Sequence, residues 1–263
     1  MMLSKKAIGR RFGLLAAFVA ALLIACTGVV LAQSSSSSTP NSGYFGNTTV
    51  RPSDATQAGG AEPLSNVSSA TGDISAEARV PNGGFETGDF SRWKQANQSG
   101  GSGRWFVYSG TTSPLSLSTI AAPPQGNFAA TTDQDSPGSH VLYRNIKLAA
   151  GQKHVLSFFL YYDNLAGAFF ARNTLDYTVE PNQQYRVDLL RPQANPFTVN
   201  SDKVLRTLFR TKPGDPNTRG PRLRTYNISQ YAGRTVRLRF AEVDNQGNFL
   251  ASVDRVRVAS TSR

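Results

Sequence analysis

The chain has 263 residues, with 28 Lys and Arg against 17 Asp and Glu, for a formal net charge of +11. Its single cysteine, Cys26, lies in an N-terminal apolar run, which excludes an intramolecular disulfide and a thiolate metal site in the remainder. The basic balance points toward anionic partners such as acidic glycans, lipid headgroups or nucleic acid; it does not bear on the fold.

Lys5, Lys6, Arg10 and Arg11 precede an apolar stretch from Gly13 to Ala32, the layout of a charged n-region followed by an h-region. Residues 1–32 are therefore read as a signal peptide or membrane anchor. Three ends are compatible with it. Signal peptidase cuts after Ala32; or Cys26, at the end of the lipobox-like Leu23-Ile24-Ala25-Cys26, is acylated to give a lipoprotein; or the segment stays as an uncleaved helix. About 20 apolar residues at 1.5 Å rise span a ~30 Å hydrocarbon core, so the last is physically sound. Every alternative puts the rest of the chain outside the cytoplasm, secreted or at the cell surface, with membrane contact only through this segment.

Residues 33–76 open on five consecutive serines, Ser34 to Ser38, and stay rich in Ser, Thr, Asn, Gly and Ala with neither a helical nor a strand period. They read as a flexible linker that gives a folded head its reach.

From residue 77 to 263 the texture changes to short β-branched and aromatic runs separated by Gly, Pro, Asn and Asp clusters, which predicts an all-β sandwich. Strands are expected at 104–108, 128–132, 141–148, 154–162, 185–190, 204–209, 235–243 and 250–258. Eight strands suit a jelly roll. In 235–243 the alternation is strict: Val236, Leu238 and Phe240 should face a core, with Arg237 and Arg239 facing solvent. The run Val155 to Tyr162 is apolar on both faces, as for a central strand or one bordering a ligand cleft.

Asn82-Gly83-Gly84-Phe85-Glu86, followed by Gly88-Asp89-Phe90 and Trp93, resembles the opening strand of galactose-binding-like jelly rolls, especially bacterial carbohydrate-binding modules. The closing Val253-Asp254-Arg255-Val256-Arg257-Val258 is similar to their last strand. A second resemblance, to MAM-type jelly rolls, rests on Phe85-Glu86, Trp93, Trp105 and Leu156-Ser157-Phe158, without the cysteines usual there.

The first resemblance implies a structural calcium ion joining the first and last strands, with Glu86 and Asp254 at the matching positions. Strand parity with Leu250, Val256 and Val258 independently turns Asp254 toward the core, and a buried carboxylate needs a partner. Calcium takes six to eight oxygens, which two carboxylates and the carbonyls of a Gly-rich turn can contribute. Backbone amides or an arginine would satisfy Asp254 equally well. Arg255 also stands where family members often carry a second acid or amide.

Sugar readers stack aromatic rings on pyranose faces and hydrogen-bond hydroxyls with polar side chains. The richest supply lies at Tyr161-Tyr162-Asp163-Asn164 and Tyr185-Arg186-Val187-Asp188, making Tyr162, Tyr185 and Asp188 the candidate ligand-binding residues; Phe169, Phe170 and Phe249 flank strand ends. Core packing is the ordinary role of such aromatics.

If the last two strands pair across the turn at 244–248, Arg237, Arg239, Arg255 and Arg257 form one patch suited to an anionic polymer, or a solvated face with local partners. No aromatics alternate with them, which argues against nucleic acid. His140 and His154 share the parity of inward residues and read as structural. No Gly-x-Ser-x-Gly, His-Glu-x-x-His, phosphate loop or dinucleotide fingerprint occurs. The expectation is a non-catalytic, calcium-stabilised module that binds a glycan or envelope polysaccharide; the alternative is a structural or adhesive surface domain contacting proteins or anionic polymers.

Overall fold

The computed structural model describes residues 80–262. The signal or anchor, the linker and the acylation alternative at Cys26 lie outside the described residues.

The described residues form ten strands and one 3-10 turn, Ser229–Tyr231. The strands are β1 Lys94–Asn97, β2 Arg104–Tyr108, β3 Ala129–Asp133, β4 Gly138–Lys147, β5 Gln152–Asn164, β6 Gln184–Leu190, β7 Val204–Arg210, β8 Thr218–Asn227, β9 Thr235–Asp244 and β10 Phe249–Ser262. They make two five-stranded sheets, ordered β1-β4-β9-β6-β7 and β2-β3-β10-β5-β8, with antiparallel pairing throughout. This is the expected all-β jelly-roll sandwich. The eight anticipated segments are all strands; β1 and β8 were not anticipated.

Both unforeseen strands are poor in the pattern that betrays a strand. β1, Lys-Gln-Ala-Asn, has no apolar alternation, and β8 is Thr-Arg-Gly-Pro-Arg-Leu-Arg-Thr-Tyr-Asn. Each is a sheet edge, where Pro221 is tolerated because one side of the strand needs no ladder partner, and where charge blunts pairing with other chains.

The inward faces build one core. Leu142 and Ile146 of β4, Tyr185, Val187 and Leu189 of β6, and Val236, Leu238 and Phe240 of β9 meet Trp105 of β2, Leu156, Phe158, Leu160 and Tyr162 of β5, and Val253, Val256 and Val258 of β10. Each such side chain contributes roughly 1.5–3 kcal/mol of burial.

Neither sheet leaves its outer face wholly to water. On the β2-β3-β10-β5-β8 sheet, Tyr108, Ala129, Tyr161 and Leu250 pack with Ile120 of the β2–β3 connection. The Tyr108 hydroxyl donates to the Ala121 carbonyl at 2.6 Å and receives the Tyr161 hydroxyl at 2.6 Å. On the other sheet, Val141, Ala241 and Val243 pack with Leu175, Tyr177, Phe197 and Val199 from the connections flanking β6.

That cover overturns one expectation about β9. Val236, Leu238 and Phe240 do face the core, but Arg239 is fully buried as well, its Nη1 donating to the carbonyls of Pro196 at 2.7 Å and Thr198 at 2.6 Å. Arg237 reaches the carbonyls of Pro192 and Ala194. A second expectation also fails: β9 and β10 belong to different sheets, so the turn at 244–248 crosses the sandwich and the four arginines do not form one patch.

Asp254 does not share the side of Val256 and Val258, contrary to its expected place facing the core. β10 carries a register shift between Asp254 and Arg257, and Arg255 adopts φ 50°. A bulge inserts an extra residue and reverses which side chains point inward. Ala251 and Val253 before it and Val256 and Val258 after it face the core. Asp254 is buried, but on the outer side with Leu250, beneath the β2–β3 connection.

Candidate functional site

Two of the three anticipated ligand-binding residues have no surface to offer. Tyr185 is wholly buried, its ring 6.4 Å from that of Trp105 and 6.0 Å from that of Phe209, and its hydroxyl donates to the Ser252 carbonyl at 3.2 Å. Asp188 is equally buried. Its carboxylate accepts Arg186 Nε at 2.8 Å, Arg186 Nη2 at 2.8 Å, Arg239 Nη2 at 2.5 Å and the Thr207 hydroxyl at 2.8 Å. Burial alone would raise the Asp188 pKa, but the two guanidiniums, Arg239 foremost, hold it below the usual carboxylate value. These are structural residues: period-2 alternation placed them correctly on strands, but the covering loops are invisible to it. Phe169 and Phe249 likewise lie in the core, each packed edge-on against Tyr162.

Tyr162 is different. Its ring belongs to the core, and the residue also borders a cleft of about 250 Å³ at the β5–β8 junction, lined by Ile120, Tyr161, Asp163, Thr218 and Arg219. Tyr162 pairs with Arg219 on the core side of the sheet and Asp163 with Thr218 on its outer side. Arg219 Nε donates to the Tyr162 hydroxyl at 3.2 Å, and the Thr218 hydroxyl donates to Asp163 Oδ1 at 2.6 Å. The Arg219 guanidinium carbon lies 5.7 Å from the Tyr162 ring centre. An apolar floor of Ile120 and Tyr161 beside the Asp163 carboxylate and the Thr218 hydroxyl can hold a polyhydroxylated ring and orient it. Tyr162, Tyr161 and Asp163 are legible from the sequence; Thr218 and Arg219 are not, because β8 lacks the pattern of a strand.

The basic character of β8 continues along the seam between the two sheets. Arg224 lies over the Phe209 ring at 5.5 Å and Arg206 over the Tyr226 ring at 5.9 Å, while Arg222 is exposed. Guanidiniums with apolar stems close an edge where β7 and β8 cannot seal with side chains alone.

Glu86 and Asp254, the anticipated calcium pair, do come together. The Val256 amide donates to the Gly83 carbonyl at 2.7 Å, tethering the first segment to the last strand. Only glycine fits at 83, where a Cβ would sit 2.0 Å from the Val256 carbonyl oxygen. A Cβ at Gly84 would lie 3.7 Å from Asp254 Oδ1 and 3.8 Å from Glu86 Oε1, so the carboxylates share that space.

Asp254 accepts the amides of Arg255 at 2.5 Å and Gln125 at 3.2 Å, and Glu86 accepts that of Asn127 at 3.0 Å. Burial, assisted by the Glu86 charge and opposed by those amides, pushes Asp254 up to about 7. Two acids at close quarters, on a backbone forced to positive φ at Asn82, Phe85 and Arg255, form a donor set that fits a hard oxygen-seeking cation. The amides meet part of the same need.

His154 is the structural histidine expected, with Nδ1 2.8 Å from the Ser260 hydroxyl and Nε2 2.8 Å from the Ala149 carbonyl. His140 is buried too, with Nδ1 3.1 Å from Asn97 Oδ1 and the Ser102 carbonyl against its ring.

No protein-family model matches the chain, and no curated protein matches it. Among solved structures it is similar to the carbohydrate-binding module TmCBM61 in complex with beta-1,4-galactotriose, with 13% identity over 72% of this chain and 100% of that one and a TM-score of 0.43. It is similar as well to the K3 cleaved adhesin domain of Lys-gingipain from Porphyromonas gingivalis, with 16% identity over 71% and 100% and a TM-score of 0.43. A third is the tandem CBM22 domain of Paenibacillus barcinonensis Xyn10C, with 17% identity over 68% and 49% and a TM-score of 0.37.

Proposed function

We propose that the sandwich is a non-catalytic carbohydrate-binding module, carried outside the cytoplasm by the N-terminal segment. The carrying observation is the β5–β8 cleft, which Tyr162, Asp163, Thr218 and Arg219 line together with the apolar Ile120 and the ring of Tyr161. Arg219 makes a saccharide with acidic substituents the favoured ligand. Glu86 and Asp254 would hold a calcium ion whose charge offsets theirs and braces the first segment against β10.

The test is retention of the full-length chain, kept in mild detergent because of its apolar stretch from Gly13 to Ala32, on neutral and acidic polysaccharides. Retention on an acidic glycan is expected, weakened about tenfold or more by Arg219→Ala, in line with ~1.5–3 kcal/mol for a charged hydrogen bond. No retention on any glycan would overturn the reading. For calcium, a chelator should lower the melting temperature, since a ligand of the native state alone stabilises it; an unchanged melt removes the ion.

The second reading is an adhesive domain for proteins or anionic envelope polymers. It is favoured by the arginine-rich seam of β7 and β8. Binding to any polyanion, abolished by moderate salt and indifferent to Tyr162→Phe, would select it over a sugar site.

A further inference from the structure

β4 and β9 pair so that His140 stands directly opposite Glu242 and Gly138 opposite Asp244. His140 and Glu242 share the inward parity of Leu142 and Phe240, so both point between the sheets, at the end of the sandwich where the chain crosses from β9 to β10. All three side chains are buried, His140 and Glu242 completely, and one ligand atom from each lies within 4.8 Å of the others.

Acceptors crowd this place without donors to match. His140 Nδ1 lies 3.1 Å from Asn97 Oδ1, and in the tautomer in which Nδ1 donates to it Nε2 presents a lone pair. Neither oxygen of Glu242 has a hydrogen-bond partner among the described residues, and the one backbone group that meets the His140 ring is the Ser102 carbonyl. A Cβ at Gly138 would lie 2.5 Å from Nε2 and 2.4 Å from the Ser102 carbonyl oxygen, which puts a further acceptor at the same spot. Asp244 takes the Gly138 amide at 2.9 Å on one oxygen and Gln134 Nε2 at 2.9 Å on the other, and Gln134 Oε1 is itself buried without a partner. Among the described residues no lysine or arginine forms an ion pair with Glu242 or Asp244. A buried group of this composition calls for a positive charge.

We propose that His140, Glu242 and Asp244 bind a first-row transition-metal cation of the zinc class, which pins the end of the β4–β9 pair to the crossover into β10. An imidazole in the donor set selects zinc-like ions over calcium or magnesium. The Asn97 contact orients the ring, as partners of metal-bound histidines do. Two bonds of ~2.1 Å place tetrahedral donors roughly 3.4 Å apart, so side-chain shifts of about 1 Å gather these atoms around one ion. Gln134, already bonded to Asp244 and to the Phe249 carbonyl at 2.8 Å, links the site to the second sheet. Because nothing in the site is exposed, the metal enters as the chain folds.

The experiment refolds the full-length chain in zinc chloride, desalts it, and measures bound zinc together with X-ray absorption at the zinc edge. An equimolar amount of zinc with a single imidazole among oxygen ligands is expected. The chain has only two histidines, and both ring nitrogens of His154 are engaged, so that signature identifies His140. Glu242→Gln and His140→Gln should lose the metal, while Asp254→Asn keeps it. Absence of retained zinc, zinc without an imidazole ligand, or retention unchanged in folded Glu242→Gln and His140→Gln overturns the site. If neither variant folds, the absorption signature of the unaltered chain decides alone.

Discussion

Asp188 and Glu242 are buried acids on neighbouring strands of one sheet, and they solve the same electrostatic problem in opposite ways. Asp188 points outward beneath the loop cover, where Arg186 from its own strand and Arg239 from the next converge on it. Glu242 points inward between the sheets and has no such partner. The difference lies in reach. The outer face has room for a long guanidinium stem whose remaining donors find loop carbonyls, as Arg239 does with Pro196 and Thr198. Between the sheets, side chains must pack at crystal-like density, which leaves room for a small ion or a proton.

The largest effect is expected from Asp188→Asn. It strands two buried guanidiniums and should cost ~3–5 kcal/mol, read from denaturant unfolding. A loss below about 1 kcal/mol would show that the pair is not the support of the outer face.

The same pair shapes the acid limb. The folded pKa of Asp188 lies below its unfolded value, so its stabilisation is fully present above that unfolded value near 3.8 and is lost as pH falls through the folded one. In acid titrations of unfolding free energy, Asp188→Asn should therefore show a shallower fall below about pH 4 than the unaltered chain. Parallel curves would contradict the assignment.

The smallest effect is expected at Glu242. Without metal an unpaired buried carboxyl stays protonated, and Gln copies its shape, so Glu242→Gln should change metal-free stability by less than about 1 kcal/mol. A large loss there would reveal a charge partner and erase the contrast with Asp188.

Much of the fold was readable from β-branched and aromatic alternation. Val236, Leu238 and Phe240 announced their strand and its core face, and Gly83-Gly84-Phe85-Glu86 announced the segment that ties to Val256. The site was less readable. Tyr185 and Asp188 carry the chemistry of a sugar contact, yet lie buried in the core and under the loop cover, while Arg219 sits on a Pro- and Arg-containing run that resembles a loop. Alternation reports which residues share a side of a strand; it cannot report what lies on the other side.

The chain's order of apolar and polar residues determined by itself that the region is an all-β sandwich, because side-chain period and turn chemistry are local properties. Tertiary structure decided the rest: that β9 and β10 part into different sheets, that a left-handed Arg255 turns Asp254 to the outer side, and that His140 meets Glu242. Those outcomes depend on pairing between residues some hundred positions apart, where the physics is packing and charge at a distance that local sequence does not encode.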